Sequence, residues 1–172
     1  MNQLKLFTLE TPLGTLRGAV GARGLVALTM RQDEGQYLEQ LLKKRAPGAE
    51  CKQVAAKSTE PGRRLAAYFK NPQASLEAPL DLEGLTPFTQ AVLLALLDIP
   101  PGQTLTYGQV AKIVGRPKAP RAVGQALHNN PLPLFLPCHR VIGANGSLTG
   151  FGSGLPNKKA LLAWESGENP WK

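Results

Sequence analysis

The most restrictive feature of the sequence is a proline-rich segment that leads directly into a cysteine. Pro131, Pro133 and Pro137 fall within seven residues, and Cys138 follows them. Proline fixes the backbone torsion φ and lacks an amide donor, so the segment cannot continue a helix. We therefore expect residues 129–136 to form a stiff, non-helical support that places the Cys138 thiol in a defined position.

Cys138 itself allows two interpretations. Free cysteine is among the most buried residue types, so Cys138 can be a small core residue. His139 and Arg140 follow it directly, and cationic neighbours lower a thiol pKa from about 8.5, which makes the nucleophilic thiolate accessible near neutral pH. These neighbours favour a reactive thiol. The other cysteine, Cys51, lies in a polar segment and is interpreted as an incidental surface thiol.

The length of 172 residues allows one large core or two small ones, and we expect two lobes. The two cysteines and two histidines have neither a disulfide framework nor zinc-ligand spacing, which indicates a reduced, cytoplasmic protein. The first residues, 1–7, lack the apolar core of a signal peptide, and no apolar run is long enough to span a bilayer.

Basic residues dominate one part of the chain. The formal net charge is +8, and no Asp or Glu occurs between residues 99 and 164. A solvated surface normally mixes both signs, so this stretch favours a polyanionic partner, most simply nucleic acid. A contribution to solubility alone is the alternative. The basic residues of the stretch are Lys112, Arg116, Lys118, Arg121, Arg140, Lys158 and Lys159.

The first lobe, residues 1–80, is predicted to combine an antiparallel sheet with two helices. The evidence is alternation of apolar residues between turns, followed by apolar residues at helical spacing. A linker is predicted over residues 71–85, which contain proline and glycine but no helical period. The predicted strands are residues 4–8, 15–20 and 25–30, and the predicted helices are residues 35–45 and a segment capped by Ser58 or Thr59.

The second lobe, residues 81–172, is predicted to be mostly helical. Thr86 caps a buried helix, and two short helices at residues 106–115 and 120–128 form a helix-turn-helix. Small residues on the second short helix let its backbone approach DNA closely, which suits the minor groove, about 6 Å wide. Tight helix packing is the alternative. These small residues are Ala122, Gly124 and Ala126, and the residues predicted to face inward include Leu93, Leu97, Val110 and Ile113.

A glycine-rich loop follows the cysteine. Its composition predicts a mobile loop over residues 143–155 that can wall a substrate pocket. A closing helix is predicted over residues 158–165, and it ends with Glu165, the first acidic residue after the basic stretch. Glu165 is either a solvated helix-end carboxylate or a residue with a catalytic role.

Several motifs occur in the order and spacing of a known family. These are Pro137-Cys138-His139-Arg140-Val141, Tyr107, Arg121-Ala122-Val123-Gly124, Asn130-Pro131 and Leu161-Leu162-Ala163-Trp164-Glu165. In these motifs the chain resembles the O6-alkylguanine-DNA alkyltransferases, also called methylated-DNA-protein-cysteine methyltransferases. The resemblance is close from Thr86 to Glu165, whereas the first lobe matches the family only in its coarse pattern. The resemblance implies an α+β fold, with a small antiparallel sheet lobe like ribonuclease H and a mostly helical, winged-helix-like lobe that carries the helix-turn-helix.

The resemblance also implies a DNA repair reaction. Cys138 would attack the alkyl carbon on O6 of a guanine flipped out of duplex DNA. His139 would accept the thiol proton through a water, and Glu165 would orient and charge the histidine. A thioether has no carbonyl for water to attack, so each molecule of this methyltransferase would react irreversibly and once.

Residues around the nucleophile receive roles from the same resemblance. Tyr107 would donate a hydrogen bond to the leaving guanine, Asn130 would tie the helix-turn-helix to the cysteine turn, and the Val141 carbonyl would help to hold the base. Arg121 would fill the space that the base leaves in the duplex. Phe151 stands where the family often has tyrosine. The further predicted DNA and substrate contacts are Ala122, Gly124 and Gly152.

The implied partner is double-stranded DNA that contains O6-alkylguanine, with O4-alkylthymine as a second candidate substrate. We expect a monomer that needs no membrane, cofactor or metal. The sequence does not decide whether several molecules bind DNA cooperatively. Some family members carry structural zinc in the first lobe, which here has no histidine and only Cys51. A helix-turn-helix regulator without chemistry also explains the charge, and a cysteine hydrolase also explains Cys138, His139 and Glu165.

Overall fold

The chain forms two compact units, of which one ends at Gly84 and the other comprises Leu85–Lys172. The computed structural model describes residues 3–172, so Met1 and Asn2, which belong to the segment considered for a signal peptide, lie outside it. Within residues 3–172, no helix is both long enough and apolar enough to cross a membrane.

The first unit is built on a four-stranded sheet with the strand order β3-β2-β1-β4. The pairs β1/β2 and β2/β3 are antiparallel, as predicted. The sheet as a whole is mixed rather than antiparallel, because a fourth strand that was not predicted, β4, pairs with β1 in parallel. All four residues of β4 are exposed, so the strand lacks the apolar alternation that identifies strands in a sequence. The strands are β1 (Gln3–Thr11), β2 (Gly14–Gly21), β3 (Gly24–Thr29) and β4 (Glu50–Gln53).

Two helices complete the first unit, α1 (Gln36–Arg45) and α2 (Glu60–Tyr68). The Thr59 hydroxyl accepts a hydrogen bond from the Gly62 amide at 3.1 Å, so Thr59 is the cap of α2 and Ser58 is not. Helix α1 buries its apolar face against the sheet, which gives the unit its own core. The core cluster includes Leu4, Ala19, Val26, Ala27, Leu38 and Leu42.

Part of the predicted linker is bound to the first unit. The Leu25 amide donates to the Pro79 carbonyl at 2.8 Å, and the Leu25 carbonyl accepts from the Asp81 amide at 2.9 Å. These bonds extend the sheet at the edge of β3. The domain boundary expected after residue 80 therefore falls within a segment that is bound to the sheet, and the unit continues to Gly84.

The second unit is mostly helical, and α4 and α5 form a helix-turn-helix around a turn at residues 114–119. A capping box starts α4: the Gln109 amide donates to the Thr106 hydroxyl at 3.2 Å, and the Thr106 amide donates to Gln109 Oε1 at 2.7 Å. Helix α6 begins at Leu155, before its predicted start. The elements are α3 (Pro87–Ala95), β5 (Leu105–Thr106), α4 (Tyr107–Ile113), α5 (Pro120–His128), β6 (Val141–Ile142) and α6 (Leu155–Glu165).

Two residues predicted to face inward are exposed. Leu97 is 53% exposed and Ile113 is 57% exposed. After α3 the backbone tightens into a 3-10 turn at Leu96–Asp98, which has three residues per turn, so Leu97 points away from the side on which Leu96 is buried. Val110 and Ala111 are the buried residues of α4, and Ile113 lies about 60° beyond Val110 on the side away from Ala111, so it falls outside the buried face.

Candidate active site

The proline-rich segment is organised by Asn130, which directly follows α5 and its last turn. Asn130 Nδ2 donates to the Leu136 carbonyl at 2.8 Å, and Asn130 Oδ1 accepts from the Leu132 amide at 2.9 Å. Leu134 adopts a left-handed φ of 73°, which is uncommon for a residue with a bulky side chain. The segment is therefore a buried, non-helical loop that leads into Cys138.

Cys138 and His139 lie in a 3-10 turn, Cys138–Arg140. Val141 follows the turn and enters β6, which pairs in parallel with β5. On a regular strand the side chains of two consecutive residues point to opposite faces. The turn removes that restriction, and it buries both side chains, with Cys138 7% exposed and His139 fully buried.

Glu165 is the centre of a buried charged cluster. His139 Nε2 donates to Glu165 Oε1 at 2.8 Å. Arg140 donates through Nε to Oε2 and through Nη2 to Oε1, both at 2.9 Å, and its Nη1 donates to the Ile99 carbonyl at 2.5 Å. Burial alone would raise the pKa of Glu165, but the hydrogen bonds and charges of His139 and Arg140 lower it to about 2. The alternative of a solvated carboxylate is therefore wrong.

The imidazole of His139 has one nitrogen that is not bonded to protein. Nε2 is bonded to Glu165, whereas Nδ1 is buried without a hydrogen-bond partner in the described part of the chain. Burial lowers the pKa of His139, and Glu165 opposes that effect. A neutral imidazole that donates through Nε2 carries its lone pair on Nδ1, which is the state required of a proton acceptor.

Burial also acts on the cysteine. It raises the pKa of the Cys138 thiol above its ordinary value, while the side-chain hydrogen bond of Asn130 and the charge of Lys158 oppose it. The prediction that His139 and Arg140 lower this pKa is therefore wrong, because Arg140 is paired with Glu165 and the histidine is held neutral. The resting thiol keeps its proton at neutral pH and needs a base to remove it.

Lys158 is a residue of the site that sequence reasoning missed. It is fully buried in α6, and its Nζ donates to the Val141 carbonyl at 2.6 Å and to the Thr149 carbonyl at 2.9 Å. Lys158 and Glu165 are separated by about two helical turns, so they share one face of α6. That spacing was the signal available in the sequence.

Tyr107, at the start of α4, lines a cleft beside the helix-turn-helix. Its hydroxyl donates to the Thr149 carbonyl at 2.8 Å. The cleft has a volume of about 520 Å³ and brings together three of the predicted site residues, Tyr107, Arg121 and Gly124. Thr149 and Gly150 of the loop also line the cleft, and Cys138 is not among its lining residues.

The remaining predicted contacts have different environments. Val141 is buried, Phe151 is half-buried, and Gly152 and Ala122 are exposed. The carbonyl of Val141, expected to hold the base, accepts from the Lys158 ammonium. Phe151 and Gly152 lie in the loop before α6, Ala122 lies on the exposed side of α5, and Val141 lies in β6.

The small residues of α5 divide between two environments. A Cβ on Gly124 would lie 3.7 Å from the Tyr107 ring, and Ala126 is buried at 5% exposure. Ala122 and Arg121 are exposed. Of the three small residues only Ala122 is therefore exposed, whereas Ala126 serves packing.

The basic stretch is divided in the same way. Arg140 and Lys158 belong to the interior of the unit. A polyanion therefore meets only the other cations of the stretch. The exposed ones are Lys112, Arg116, Lys118, Arg121 and Lys159.

Comparisons with known proteins cover both units. Residues 87–167 match the family model described as 6-O-methylguanine DNA methyltransferase, DNA binding domain. The chain is 38% identical over 163 residues to the methylated-DNA–protein-cysteine methyltransferase of Mycolicibacterium paratuberculosis. This alignment covers 95% of this chain and 93% of the relative. It is 52% identical over 106 residues to the protein of that name from Methanosarcina acetivorans, covering 62% of this chain and 67% of the relative. The crystal structure of Mycobacterium tuberculosis OGT in complex with DNA superimposes with a TM-score of 0.79 at 36% identity, over 96% of this chain and 95% of that chain.

A helix-turn-helix unit that buries a cysteine beside a histidine and a glutamate defines a DNA-binding protein with a reactive thiol. The chain belongs to the family of methylated-DNA–protein-cysteine methyltransferases, which are DNA repair alkyltransferases. The predicted family and the predicted α+β fold class are thereby confirmed.

Proposed function

We propose that this chain repairs O6-alkylguanine in double-stranded DNA by transferring the alkyl group irreversibly to its own Cys138. The observation that carries the proposal is the bond between His139 and the buried Glu165, next to a cysteine in a helix-turn-helix unit. Support comes from a relative named methylated-DNA–protein-cysteine methyltransferase that is matched over 93% of its length, and from the DNA complex of a similar structure.

In the proposed reaction, the Cys138 proton passes through a water to Nδ1 of His139. Glu165 stabilises the imidazolium that forms, because its carboxylate stays ionised. The sulfur attacks the alkyl carbon, a carbon–sulfur bond forms as the carbon–O6 bond breaks, and the electron pair leaves with the guanine, which then takes up a proton. The thioether that results has no route back, so one molecule repairs one base.

Tyr107 is proposed to donate a hydrogen bond to the leaving guanine. Its hydroxyl is bonded to the Thr149 carbonyl, so this bond is exchanged for one to the base when the substrate enters. Phe151 and Gly152 lie in the same loop and are proposed to wall the pocket, and the Val141 carbonyl is proposed to hold the base.

The helix-turn-helix is proposed to enter the minor groove with the start of α5. Arg121 and Ala122 are exposed there, and Arg121 would occupy the space of the extruded guanine. Gly124 lies behind them against Tyr107. Asn130 would couple α5 to the cysteine turn through its two bonds to the proline-rich segment.

Mass spectrometry after mixing the protein with a duplex that contains O6-methylguanine tests the proposal. We expect one methyl group per protein at most, all of it on Cys138 and none on the exposed Cys51. An unmethylated duplex serves as the control. Catalytic turnover or absence of transfer contradicts the proposal; selective binding of an undamaged site would indicate a regulator, and cleavage of a small ester would indicate a hydrolase.

The proposal extends to the setting of the reaction. Residues 81–172 carry the DNA-binding and transfer functions, and the protein acts as a cytoplasmic monomer. A duplex with O4-methylthymine in the same assay decides whether this base is a second substrate, and a titration of long duplex measures cooperativity.

A further inference from the structure

Lys158 is a buried cation at the junction of three structural elements. It lies on α6, its ammonium donates to the Val141 carbonyl directly after the cysteine turn, and it donates to the Thr149 carbonyl in the preceding loop. The ammonium also lies 5.9 Å from the centroid of the Tyr107 ring. Its position is thus fixed next to the segment that carries Cys138.

The charge of Lys158 is not compensated by a carboxylate. Within residues 3–172 it forms no ion pair with Asp or Glu. Glu165, on the same face of α6, is engaged by His139 and Arg140. Transfer of a charge into the interior without a partner is unfavourable, so the ammonium gains stability from any negative charge that forms beside it.

The charged groups packed around the cysteine turn come from the turn itself and from α6. His139 and Arg140, in the turn, are both bonded to Glu165 of α6, so these three residues form one cluster. The thiol receives a side-chain hydrogen bond from Asn130 and the positive charge of Lys158, and both favour its thiolate. Lys158 is therefore the cation outside the cluster that acts on the sulfur.

We propose that Lys158 is a positioning residue of the transfer reaction whose ammonium is the counter-ion of the Cys138 thiolate. The inference rests on the proposed function, because it concerns the state of the thiol from which the alkyl group is attacked. The ammonium does not touch the substrate or take up the thiol proton. It stabilises the anion that remains on sulfur when His139 has accepted the proton.

The contrasting explanation is purely structural, with Lys158 holding the loop through its two carbonyl contacts. The two explanations differ in the thiol titration. A counter-ion lowers the pH at which the thiolate forms, whereas a loop anchor affects access and stability without a defined effect on that pH.

The test is the pH dependence of Cys138 alkylation by iodoacetamide, in which sulfur displaces iodide and no DNA takes part. Lys158→Met should move the midpoint upward by about one pH unit, which is about a tenfold lower rate at neutral pH. Lys158→Arg should restore the midpoint, and Lys159→Met, next to it but exposed, is the matched control. An unchanged midpoint in Lys158→Met overturns the proposal.

A reciprocal measurement does not need a Lys158 variant to fold. Coupled groups shift each other equally, so the NMR titration midpoint of the Lys158 ammonium should fall in Cys138→Ser relative to wild type. An identical midpoint in the two proteins also overturns the proposal. Wild-type transfer from O6-methylguanine is measured separately, so failure of the proposed function is distinguishable from failure of the counter-ion.

Discussion

Arg121 and Arg140 are the same residue type within one acid-free stretch, but their surroundings are opposite. Arg121 is exposed at the start of α5, whereas Arg140 is buried and bonded to Glu165 and to the Ile99 carbonyl. Salt screens exposed charges strongly and buried ones much less. Positive charge in this stretch therefore has two separate uses, attraction of a polyanion at the surface and organisation of a charged site inside.

The two cysteines allow the strongest test of the interior against the surface. Cys138→Ala should abolish alkyl transfer completely, because the proposed acceptor atom is removed, and Cys51→Ala should transfer at the wild-type rate because its thiol is exposed and outside the second unit. Transfer is followed by mass spectrometry with O6-methylguanine duplex. Residual transfer by Cys138→Ala would remove Cys138 from the reaction.

Glu165→Gln should disrupt the buried charged cluster without changing the exposed basic residues. Loss of one partner of a buried charged cluster leaves Arg140 uncompensated, so we expect a loss of about 3 kcal/mol in the free energy of unfolding. Transfer should also slow about 100-fold, because a neutral amide supports the His139 cation less well. Urea denaturation and single-turnover kinetics measure both effects. The exposed Glu168→Gln is the control, and equal behaviour of the two variants would rule out the role of Glu165.

The stability that the buried Glu165 contributes should depend on pH. The pKa of Glu165 is about 2 in the folded protein, below its ordinary value of 4.5, so the stability that its ionisation contributes is complete above pH 4.5 and is lost as the pH falls towards 2. The difference in unfolding free energy between wild type and Glu165→Gln should therefore shrink in this window, by about 1.4 kcal/mol per pH unit. A difference that stays constant there contradicts the assignment.

Arg121→Ala tests the surface. Extrusion of a base costs a few kcal/mol in duplex DNA and nothing for a free base, so the variant should transfer about tenfold more slowly from duplex but normally from free O6-benzylguanine. Single-turnover rates at saturating protein separate this effect from binding. If the duplex rate matches wild type, Arg121 contributes only charge.

Lys118→Ala is the matched surface variant and should have the smallest effect. Lys118 is exposed in the turn between α4 and α5, so its loss should reduce the slope of log affinity against log salt by about 0.9. Its single-turnover rate at saturation should be unchanged. A slow bound-state rate would mean that the turn also takes part in extrusion.

Local signals in the sequence predicted most of the local structure. Thr59, Thr86 and Thr106 are caps because a hydroxyl before a helix satisfies a free amide. Proline before Cys138 excluded a helix, and the structure has a buried loop there. The motif around Cys138 also identified the family, since its residues are consecutive in the chain.

Features that depend on distant partners were not predictable in the same way. The sequence did not indicate that Lys158 and Arg140 are buried, because their burial depends on carbonyls and a carboxylate from other segments. The strand β4 has no apolar pattern and exists because the edge of β1 has free backbone groups to pair. Ile113 was misplaced because a helix as short as α4 presents only a narrow inward face.

Several contacts that define the site join residues that are distant in sequence, and this has a consequence for folding. His139 and Glu165 are 26 residues apart, Arg140 and Ile99 are 41 apart, and Tyr107 and Thr149 are 42 apart. Each contact closes a long loop, whose entropy is lost before the contact contributes any stability. A partly folded chain therefore has a Cys138 without its base, its carboxylate or its ammonium. Alkyl transfer from O6-methylguanine should therefore require cooperative folding of the whole unit, so its recovery during refolding reports the last steps of native assembly.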